Sequence, residues 1–411
     1  MSNEASEPVT HSRGMEVLPQ ASIDALVHFI HSHYNHAYQH GFVPLHAPCF
    51  NQLEKQLLNN CIDSTFVSSV GAYVDQFENE LAEFTGAQHA VAIVNGTLGL
   101  FLGLKVVGVE ANDLVLTQSL SFVATANAIK MLNADPVFLD VSKQTMGLSA
   151  EQLAEFLTNE TTQKDHQCFH QATNRRISAC VPMHTLGFSV EIEEIVALCR
   201  QHNIKVVEDA AESLGSYQNQ QHTGTFGDIG IFSFNGNKII TTGGGGMLVT
   251  NNADYAKRAK HLSTTAKIPH AWLFEHDEIG FNLRMPNLNA ALGVAQMAKL
   301  LEFLAEKAAL ASKYQQLIKN LPGLVSLENS NQQSQPNNWL MGLWCKDQAQ
   351  RDIVLAQLNQ QKIQARPLWT PMHLLPIYQQ ELAYPMPNTE WIAERLVNLP
   401  SGVLCHKAGA L

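Results

Sequence analysis

Short apolar runs alternate with longer amphipathic segments from about Gln88 onward. The runs QHAVAIV, LVLTQ, PVFLDV, ISACVPMH and IKVVED are rich in β-branched residues, which favours strands. Between them, segments such as FVATANAIKMLN and EIEEIVALCRQHN have apolar positions at helical spacing. Buried strands separated by helices are typical of a mainly parallel sheet covered on both faces. The pattern therefore predicts an α/β fold.

Polar residues follow several of these runs. They are Asn95 to Thr97, Ser119 to Phe122, His184, and Glu208 with Asp209. In open α/β folds ligands bind at the carboxyl ends of the strands. These positions are therefore the first candidates for a functional site.

The pattern changes after Asn287. The stretch LNAALGVAQMAKLLEFLAEKAALASKYQQLIKN consists largely of strong helix formers, and the turn-rich LPGLVSLENSNQQSQPNNW then interrupts the helix. We accordingly predict an N-terminal helical extension (1–40), a large domain (41–290) and a smaller C-terminal α+β domain (291–411).

Charge and composition exclude some classes of function. The 411 residues carry a formal net charge of −11, which disfavours binding to nucleic acid or to anionic membranes. An anionic ligand must therefore meet a local cluster of donors. The opening segment is polar, and no apolar run reaches the length of a membrane span. We predict a cytoplasmic protein.

The sequence does not predict a metal centre. None of the seven cysteines is spaced as CxxC. In HFIHSHYNHAYQH, His36 and His40 would share a helix face and could bind a metal. A metal site needs a complete ligand set and groups that orient those ligands, so a solvated amphipathic helix is the favoured interpretation.

The stretch SFNGNKIITTGGGG holds one lysine, Lys238, between an apolar run and four glycines. It fails the P-loop pattern, because Ile239 follows Lys238 where Ser or Thr is required. The GxGxxG fingerprint fails as well, because Leu248 or Val249 stands where the last glycine belongs. The glycines still permit tight turns and close approach of the backbone.

The polar positions meet the requirements of pyridoxal phosphate, which needs a lysine, a carboxylate for the pyridine nitrogen, a flat apolar partner and donors for its phosphate. Lys238 follows DIGIFSFN, and Asp209 ends IKVVED. Phe122 offers a ring. Donors could come from Ser233 and from the Asn95–Thr97 turn, at the start of a helix. Taken singly, each residue also fits an ordinary role as a helix cap, a core aromatic or a surface lysine.

Taken together and in order, the segments VNGTLGL, SFVATANAI, VVEDAAESLGS, GDIGIFSFNGNKIITTGGGGMLVT and IGFNLRMPNLNAALG resemble the DegT-type sugar-nucleotide aminotransferases, which are fold-type I pyridoxal phosphate enzymes. The resemblance extends from about Phe42 to near the C-terminus. It implies a large domain with a mainly parallel seven-stranded sheet, a smaller C-terminal α+β domain, and a homodimer whose active sites are shared across the interface.

The resemblance also implies roles for single residues. Lys238 corresponds to the lysine that forms the Schiff base, and Asp209 to the partner of the pyridine nitrogen. Glu212 stands where glutamine or histidine is usual, and would contact the phenolic oxygen of the cofactor or the substrate. The other implied cofactor contacts are Phe122, which stacks on the ring, Gly96, Thr97 and Ser233, which bind the phosphate, and Asn282, which reaches the phosphate in the neighbouring subunit.

The implied reaction moves an amino group from L-glutamate to C4 of a nucleotide-linked 4-keto-6-deoxy sugar. CIDSTFVSSVG, PMHTLGF and the N-terminal extension suggest the branch that acts on a UDP-2-acetamido-4-keto-2,6-dideoxyhexose for legionaminic-acid-like surface polysaccharides. GDP- and dTDP-linked sugars are alternatives. The candidate substrate contacts are Ser68, Ser69, His184, Arg284 and His373.

Two other functions are compatible with this fold. A dehydratase of the same family would have histidine in place of the Schiff-base lysine, whereas this chain has Lys238. A non-catalytic regulator could bind cofactor or sugar without turnover. The pair of Lys238 and Asp209 favours the aminotransferase.

Overall fold

The computed structural model describes residues 18–34 and 41–404. The α-helices in these ranges are α1 (Gln20–Tyr34), α2 (Gln52–Asp63), α3 (Ala72–Thr85), α4 (Gly96–Val106), α5 (Val123–Lys130), α6 (Ala150–Asn159), α7 (Ile192–Gln201), α8 (Ala253–Ser263), α9 (Asn287–Met297), α10 (Leu300–Ile318), α11 (Gln348–Gln360) and α12 (Pro387–Ala393).

The strands in the same ranges are β1 (His89–Ile93), β2 (Leu114–Gln118), β3 (Asp135–Leu139), β4 (Thr161–Lys164), β5 (Gln167–His170), β6 (Arg176–Val181), β7 (Lys205–Asp209), β8 (Tyr217–Gln218), β9 (Gln221–His222), β10 (Ile229–Ser233), β11 (Gly246–Thr250), β12 (Lys267–Ile268), β13 (Glu275–His276), β14 (Val325–Ser326), β15 (Ser334–Gln335), β16 (Met341–Trp344), β17 (Arg366–Pro367), β18 (Leu382–Ala383) and β19 (Leu396–Leu399).

The large sheet has the strand order β1-β11-β10-β7-β6-β2-β3-β18. All neighbours from β10 to β18 are parallel, and β11 lies antiparallel between β1 and β10. The prediction of a mainly parallel sheet is confirmed. Seven of these strands, from β1 to β3, form the predicted sheet. The short β18, which comes from the C-terminal part of the chain, extends it, and the β4–β5 hairpin is attached to β6.

The carboxyl ends of several strands meet at one edge of this sheet. Asp209, the last residue of β7, is paired with Ile231 of β10, two residues before Ser233. Gly246 at the start of β11 is paired with Ser233 on one side and with Ile93 on the other. Because α4 begins three residues after Ile93, its N-terminus lies at the same edge. The fold thus brings Asp209, Ser233 and the N-terminus of α4 to one place.

A second, four-stranded sheet has the order β14-β16-β19-β17. Helix α1 packs on this part of the chain, because its Leu26 and Ile30 belong to the same apolar cluster as Leu310 of α10. The hydroxyl of Tyr34 donates to the carbonyl of Gly402 at 3.1 Å. The described part of the predicted N-terminal extension is therefore bound to the C-terminal region. His36 and His40 lie outside the described residues.

The C-terminal part of the chain contributes to both sheets. Helix α9 crosses the predicted boundary at residue 290 and packs against α2 and α3. The 3₁₀ turn at Met372 is held by a hydrogen bond from its backbone N–H to the carbonyl of Ser119. Further along the chain, β18 joins the edge of the large sheet. The predicted boundary between a large and a small domain is therefore crossed by several contacts, and the division itself stays a prediction.

Among the described residues no single helix is long and apolar enough to cross a membrane. Helices α9 and α10 reach that length and composition only as a pair, bent by 58° at the break between them.

The packing of α1 gives a first prediction. Leu26 is completely buried, so Leu26→Ala should lower the free energy of unfolding by about 2–5 kcal/mol, through the lost apolar contacts and the cavity left behind. The measurement is denaturant unfolding followed by circular dichroism. Ser32→Ala, at an exposed position of the same helix, is the control. Equal stability of Leu26→Ala and Ser32→Ala would contradict the packing of Leu26 in this apolar cluster.

Candidate active site

A cavity of about 320 Å³ lies where the strand ends meet the starts of α4 and α5. Its lining also includes the glycine-rich segment and two tryptophans from the C-terminal part of the chain. The lining residues are Asn95, Gly96, Thr97, Leu100, Phe122, Ala124, Met183, Asp209, Ala211, Glu212, Ser233, Asn235, Asn237, Lys238, Gly244, Gly245, Trp339 and Trp369.

Lys238 lies between a carboxylate and an aromatic face. Its Nζ is 3.1 Å from Glu212 Oε1 and 4.1 Å from the centroid of the Trp339 ring. A turn after β10, closed by a hydrogen bond from Lys238 N–H to the Asn235 carbonyl, holds the lysine backbone. Both neighbours hold the side chain in place, one through an ion pair and one through its π-electrons. The amine is therefore held at one place in the cavity.

Asp209 is buried and held by two hydrogen bonds. Thr125 Oγ1 donates to its Oδ2 at 2.7 Å, and Ala211 N–H donates to its Oδ1 at 3.2 Å. Burial raises the pKa of Asp209, and the Thr125 bond and the nearby Lys238 charge only partly oppose this effect. The carboxylate is thus fixed in position and lacks a full counter-charge of its own, which is the setting in which a cationic ligand group is stabilised.

Glu212 has both carboxylate oxygens engaged. Its Oε2 accepts the N–H of Leu186 at 2.9 Å, and its Oε1 faces Lys238. Burial raises the pKa of Glu212, while the Lys238 charge lowers it. Glu212, which stands where glutamine or histidine is usual, is therefore the ion-pair partner of Lys238.

The start of α4 forms a cradle for an anion. Asn95 caps the helix by accepting the N–H of Leu98, while Gly96 and Thr97 line the cavity. A Cβ on Gly96 would lie 3.0 Å from the Cβ of Ser233, and one on Gly246 would lie 2.7 Å from the carbonyl carbon of Asn95. Helix N-termini stabilise anions through their free N–H groups and the helix dipole. Glycine at these two positions allows the strands and the helix to approach.

The C-terminal part of the chain closes the cavity. Trp339 Nε1 donates to the carbonyl of Asn237 at 2.7 Å, next to Lys238. Asn337 Nδ2 donates to the carbonyl of Glu212 at 2.8 Å. The buried Lys307 holds the same segment from behind, because its Nζ donates to the carbonyls of Trp339 at 2.9 Å and Ser401 at 2.6 Å.

Comparison with known proteins decides the family. The model of the DegT/DnrJ/EryC1/StrS aminotransferase family matches residues 48–408. This chain belongs to that family. It is 34% identical to GDP-perosamine synthase of Escherichia coli O157:H7 over 360 residues, which are 88% of this chain and 93% of that protein.

Solved structures share the fold of this chain. The aminotransferase TlmJ from Streptoalloteichus hindustanus superimposes with a TM-score of 0.80 at 27% identity, covering 90% of this chain and 95% of TlmJ. DesI, whose structure contains its TDP-sugar product, superimposes with a TM-score of 0.77 at 26% identity, covering 89% of this chain and 88% of DesI.

As a member of the DegT family, the chain is a pyridoxal phosphate-dependent sugar aminotransferase. The cavity fits this cofactor. It combines the Lys238 amine with the buried Asp209 carboxylate, and the helix N-terminus at Gly96 offers N–H groups to a phosphate. The Phe122 side chain, at the start of α5, is 51% exposed, which suits a ring that packs on a ligand rather than in the core.

Seven of the eight cofactor residues expected in a DegT enzyme line this cavity, and Asn282 is the exception. Asn282 lies next to Arg284, whose Nε donates to its Oδ1 at 3.4 Å. Arg284 and Ser69 line a separate cavity of about 230 Å³, and the carbonyl of Ser68 accepts the N–H of Asn287 at 2.7 Å. The contacts of these four residues with cofactor or substrate stay predictions.

His184 is not placed as the sequence predicted. It is completely buried, with Nε2 2.9 Å from Glu208 Oε2 and with Nδ1 accepting the N–H of Val190 at 3.3 Å. Because both ring nitrogens are engaged in the core, the side chain has none to offer a substrate. His184 is a structural residue beside Asp209.

His373 also lies outside the 320 Å³ cavity. Its Nδ1 is 2.7 Å from the hydroxyl of Ser119, and its Nε2 is 3.4 Å from Glu390 Oε1. Its backbone N–H donates to the same hydroxyl at 3.1 Å. In this arrangement His373 joins the C-terminal segment to the end of β2, and its contact with a substrate stays a prediction.

Sequence reasoning missed the part of the cavity wall made by Asn237, Trp339 and Trp369. The two tryptophans are among only five in the chain and end the motifs PNNW and RPLW. A large aromatic beside turn-forming residues is a signal of a binding surface. In LPGLVSLENSNQQSQPNNW, which ends with Trp339, the turn residues by themselves predict only a break after a helix.

Asp209→Asn should lower activity without lowering stability. The amide keeps the shape but removes the charge that would hold the pyridine nitrogen of the bound cofactor cationic, so we expect the rate at which glutamate bleaches the visible cofactor absorption to fall at least about 100-fold. Because burial raises the pKa of Asp209, ionising it costs folding energy above its ordinary pKa. The cofactor-free variant should therefore be at least as stable as the wild type at pH 7.

Glu208→Gln is the matched control for Asp209→Asn. Glu208 accepts hydrogen bonds from the backbone N–H groups of Gly224, Phe226 and Gly227, each at 2.7 Å. The negatively charged carboxylate oxygens serve all three donors. This variant should lose about 1–3 kcal/mol of stability. Full activity of Asp209→Asn, or a stability loss like that of Glu208→Gln, would contradict the assignment.

Lys307 predicts a pH dependence of stability. The loss of solvent on burial lowers its pKa from 10.5 to about 7. Between these values the unfolded chain binds the proton and the folded chain does not, so this lysine makes stability rise with pH from about 7 to about 10.5. Lys307→Met should remove that rise, measured as the difference in melting temperature between the two proteins across the range. If the melting temperatures of the wild type and Lys307→Met changed with pH in the same way, the pKa shift would be refuted.

Proposed function

We propose that this protein transfers the amino group of L-glutamate to C4 of a nucleotide-linked 4-keto-6-deoxy sugar, in the biosynthesis of a surface polysaccharide. The observation that carries the proposal is the enclosure of Lys238 and Asp209 in one cavity beside a helix N-terminus. An amine, a fixed carboxylate and an anion cradle are what the transfer requires of the protein.

Each residue has a defined task in this reaction. When bound, pyridoxal phosphate supplies the electron sink that lets a proton leave the carbon bearing nitrogen. Lys238 Nζ takes that proton from the amino donor. When the amino group is transferred, Lys238 Nζ gives a proton to C4 of the sugar. Asp209 keeps the pyridine nitrogen positive, and Glu212 Oε1, at 3.1 Å, holds the lysine amine in place. Phe122 and Trp339 restrict the access of water to the reacting atoms.

The nucleotide is the least constrained part of the proposal. The segments CIDSTFVSSVG and PMHTLGF support a UDP-linked 2-acetamido-4-keto-2,6-dideoxyhexose of the legionaminic-acid type. The similarity to a GDP-perosamine synthase supports a GDP-linked sugar, and that to DesI a TDP-linked one. We place the UDP sugar first and retain the other two as alternatives.

The proposal includes a cytoplasmic homodimer in which Asn282 reaches the phosphate of the neighbouring site. Asn282 lies outside the cofactor cavity of its own chain. Nearby, the β12–β13 hairpin and the segment that follows it carry strongly exposed apolar side chains, with Trp272 77%, Phe274 80% and Ile279 87% exposed. Contiguous exposed apolar surface is typical of an interface between proteins.

Lys238→Ala tests the chemical role. We expect turnover to be abolished while the cofactor still binds without a covalent link, so borohydride reduction should attach cofactor to the wild type and not to the variant. Lys105→Ala, at an exposed position of α4, is the control and should behave like the wild type. A fully active Lys238→Ala would refute the aminotransferase assignment.

A substrate panel tests the acceptor. The aminated holoenzyme, prepared with glutamate, is mixed with UDP-, GDP- and dTDP-linked 4-keto-6-deoxy sugars, and the return of the visible aldehyde absorption is followed. We expect the UDP-linked 2-acetamido sugar to restore it fastest. Faster return with a GDP- or dTDP-linked sugar would correct the nucleotide. Absence of bleaching by any amino acid would favour a non-catalytic regulator.

A further inference from the structure

Helix α10 places a lysine, Lys307, on its apolar face. The side chain is completely buried, and Phe303, Leu310 and Tyr314 on the same face belong to the core. Burying an amine costs stability that an apolar side chain at this position would not cost. A group of this kind inside the fold is more typical of a functional role than of packing.

The Lys307 amine joins two segments that lie far apart in the sequence. Its Nζ donates to the carbonyl of Trp339 at 2.9 Å and to that of Ser401 at 2.6 Å, and the carbonyl of Asn338 is a third, more distant acceptor at 3.4 Å. An apolar side chain could make none of these bonds. The amine therefore fixes the backbone at Trp339 against the segment that follows β19.

The Trp339 backbone held in this way carries the ring that covers Lys238. The centroid of that ring is 4.1 Å from Lys238 Nζ. The indole Nε1 donates to the carbonyl of Asn237 at 2.7 Å, directly before Lys238 in the chain. Trp339 therefore contacts the lysine at its amine and next to its backbone. A continuous series of contacts leads from Lys307 to Lys238 through this one residue.

The same segment also holds the carboxylate partner of Lys238. Asn337 Oδ1 accepts the N–H of Trp339 at 2.9 Å, and Asn337 Nδ2 donates to the carbonyl of Glu212 at 2.8 Å. Glu212 Oε1 in turn lies 3.1 Å from Lys238 Nζ. Both neighbours of the Lys238 amine are therefore attached to the stretch of backbone that Lys307 anchors.

We propose that Lys307 is a positioning residue of the aminotransferase, which holds the Trp339 backbone and thereby sets the place of the Lys238 amine in the cofactor cavity. The inference rests on the role proposed for Lys238. Lys307 is not among the residues that line the cavity, so it acts through Trp339. Proton transfer requires the amine within hydrogen-bond reach of the reacting carbon, so a displaced amine lowers the rate.

The first test measures Lys238 directly in the cofactor-free protein. Acetic anhydride labels free amines, and mass spectrometry gives the labelling rate of Lys238 relative to exposed lysines. Lys307→Met should label Lys238 about 3- to 10-fold faster than the wild type, because the loss of the hydrogen bonds to the backbone frees the covering ring. Lys307→Arg, which keeps N–H donors, should recover part of this protection.

Lys313→Met, at an exposed position of the same helix, is the control and should label like the wild type. If Lys307→Met lacks a cooperative melting transition, Lys307→Gln, which retains N–H donors on a shorter side chain, provides the same comparison. Equal labelling of Lys238 in the wild type and in the folded Lys307 variant would overturn the inference.

A double-mutant cycle tests whether Lys307 acts through Trp339. Trp339→Leu removes the covering ring but keeps the backbone carbonyl that Lys307 binds. In this background, Lys307→Met should change the labelling of Lys238 by less than about 2-fold, since the ring it would position is absent. The same acceleration in both backgrounds would show that Lys307 only stabilises the fold, and would overturn the inference.

The holoenzyme provides a measurement that separates this inference from the proposed function. In Lys307→Met, the maximal rate at which glutamate bleaches the cofactor should fall about 10- to 100-fold, while the half-saturating glutamate concentration changes little. An unchanged maximal rate would overturn the inference. No bleaching by glutamate in the wild type would refute the role proposed for Lys238, while the labelling of the cofactor-free protein would still decide whether Lys307 positions this amine.

Discussion

The ion pair between Lys238 and Glu212 is the contact on which the site depends. Placing two charges in a cavity is costly unless both are held and hydrogen-bonded. The backbone N–H of Leu186 holds the carboxylate, and the Trp339 ring covers the amine. Trp339 is in turn fixed by Asn237 and Lys307. The position of one amine is therefore set by segments that lie far apart in the sequence.

Much of the fold and of the cofactor cavity could be predicted from the sequence, because strand periodicity identifies where each strand ends. Asp209 and Ser233 end apolar runs, and the parallel sheet brings those ends together. The part of the cavity wall made by Trp339 and Trp369 could not be located in this way. It depends on pairings such as β17 with β19 and on the docking of distant segments, which no local pattern specifies. The burial of His184 could not be predicted either, because a position just after a strand does not show which way its ring will face.

The cavity also shows a conflict between stability and function. Asp209 is buried without a full counter-charge, and burial shifts its pKa towards the neutral form. The cofactor-free fold would be more stable with a neutral group in its place. Its presence fits a site that is complete only when a ligand brings the missing charge.

The edge position of β18 has a consequence for how the chain folds during synthesis. β3 can acquire this last parallel neighbour only after about 240 more residues have been made, since Leu382 pairs with Val137. Until then one edge of the large sheet is open, and open edges are templates for intermolecular pairing. Nascent chains that stall before residue 382 should therefore be the species most prone to aggregate, and the ones most in need of a chaperone.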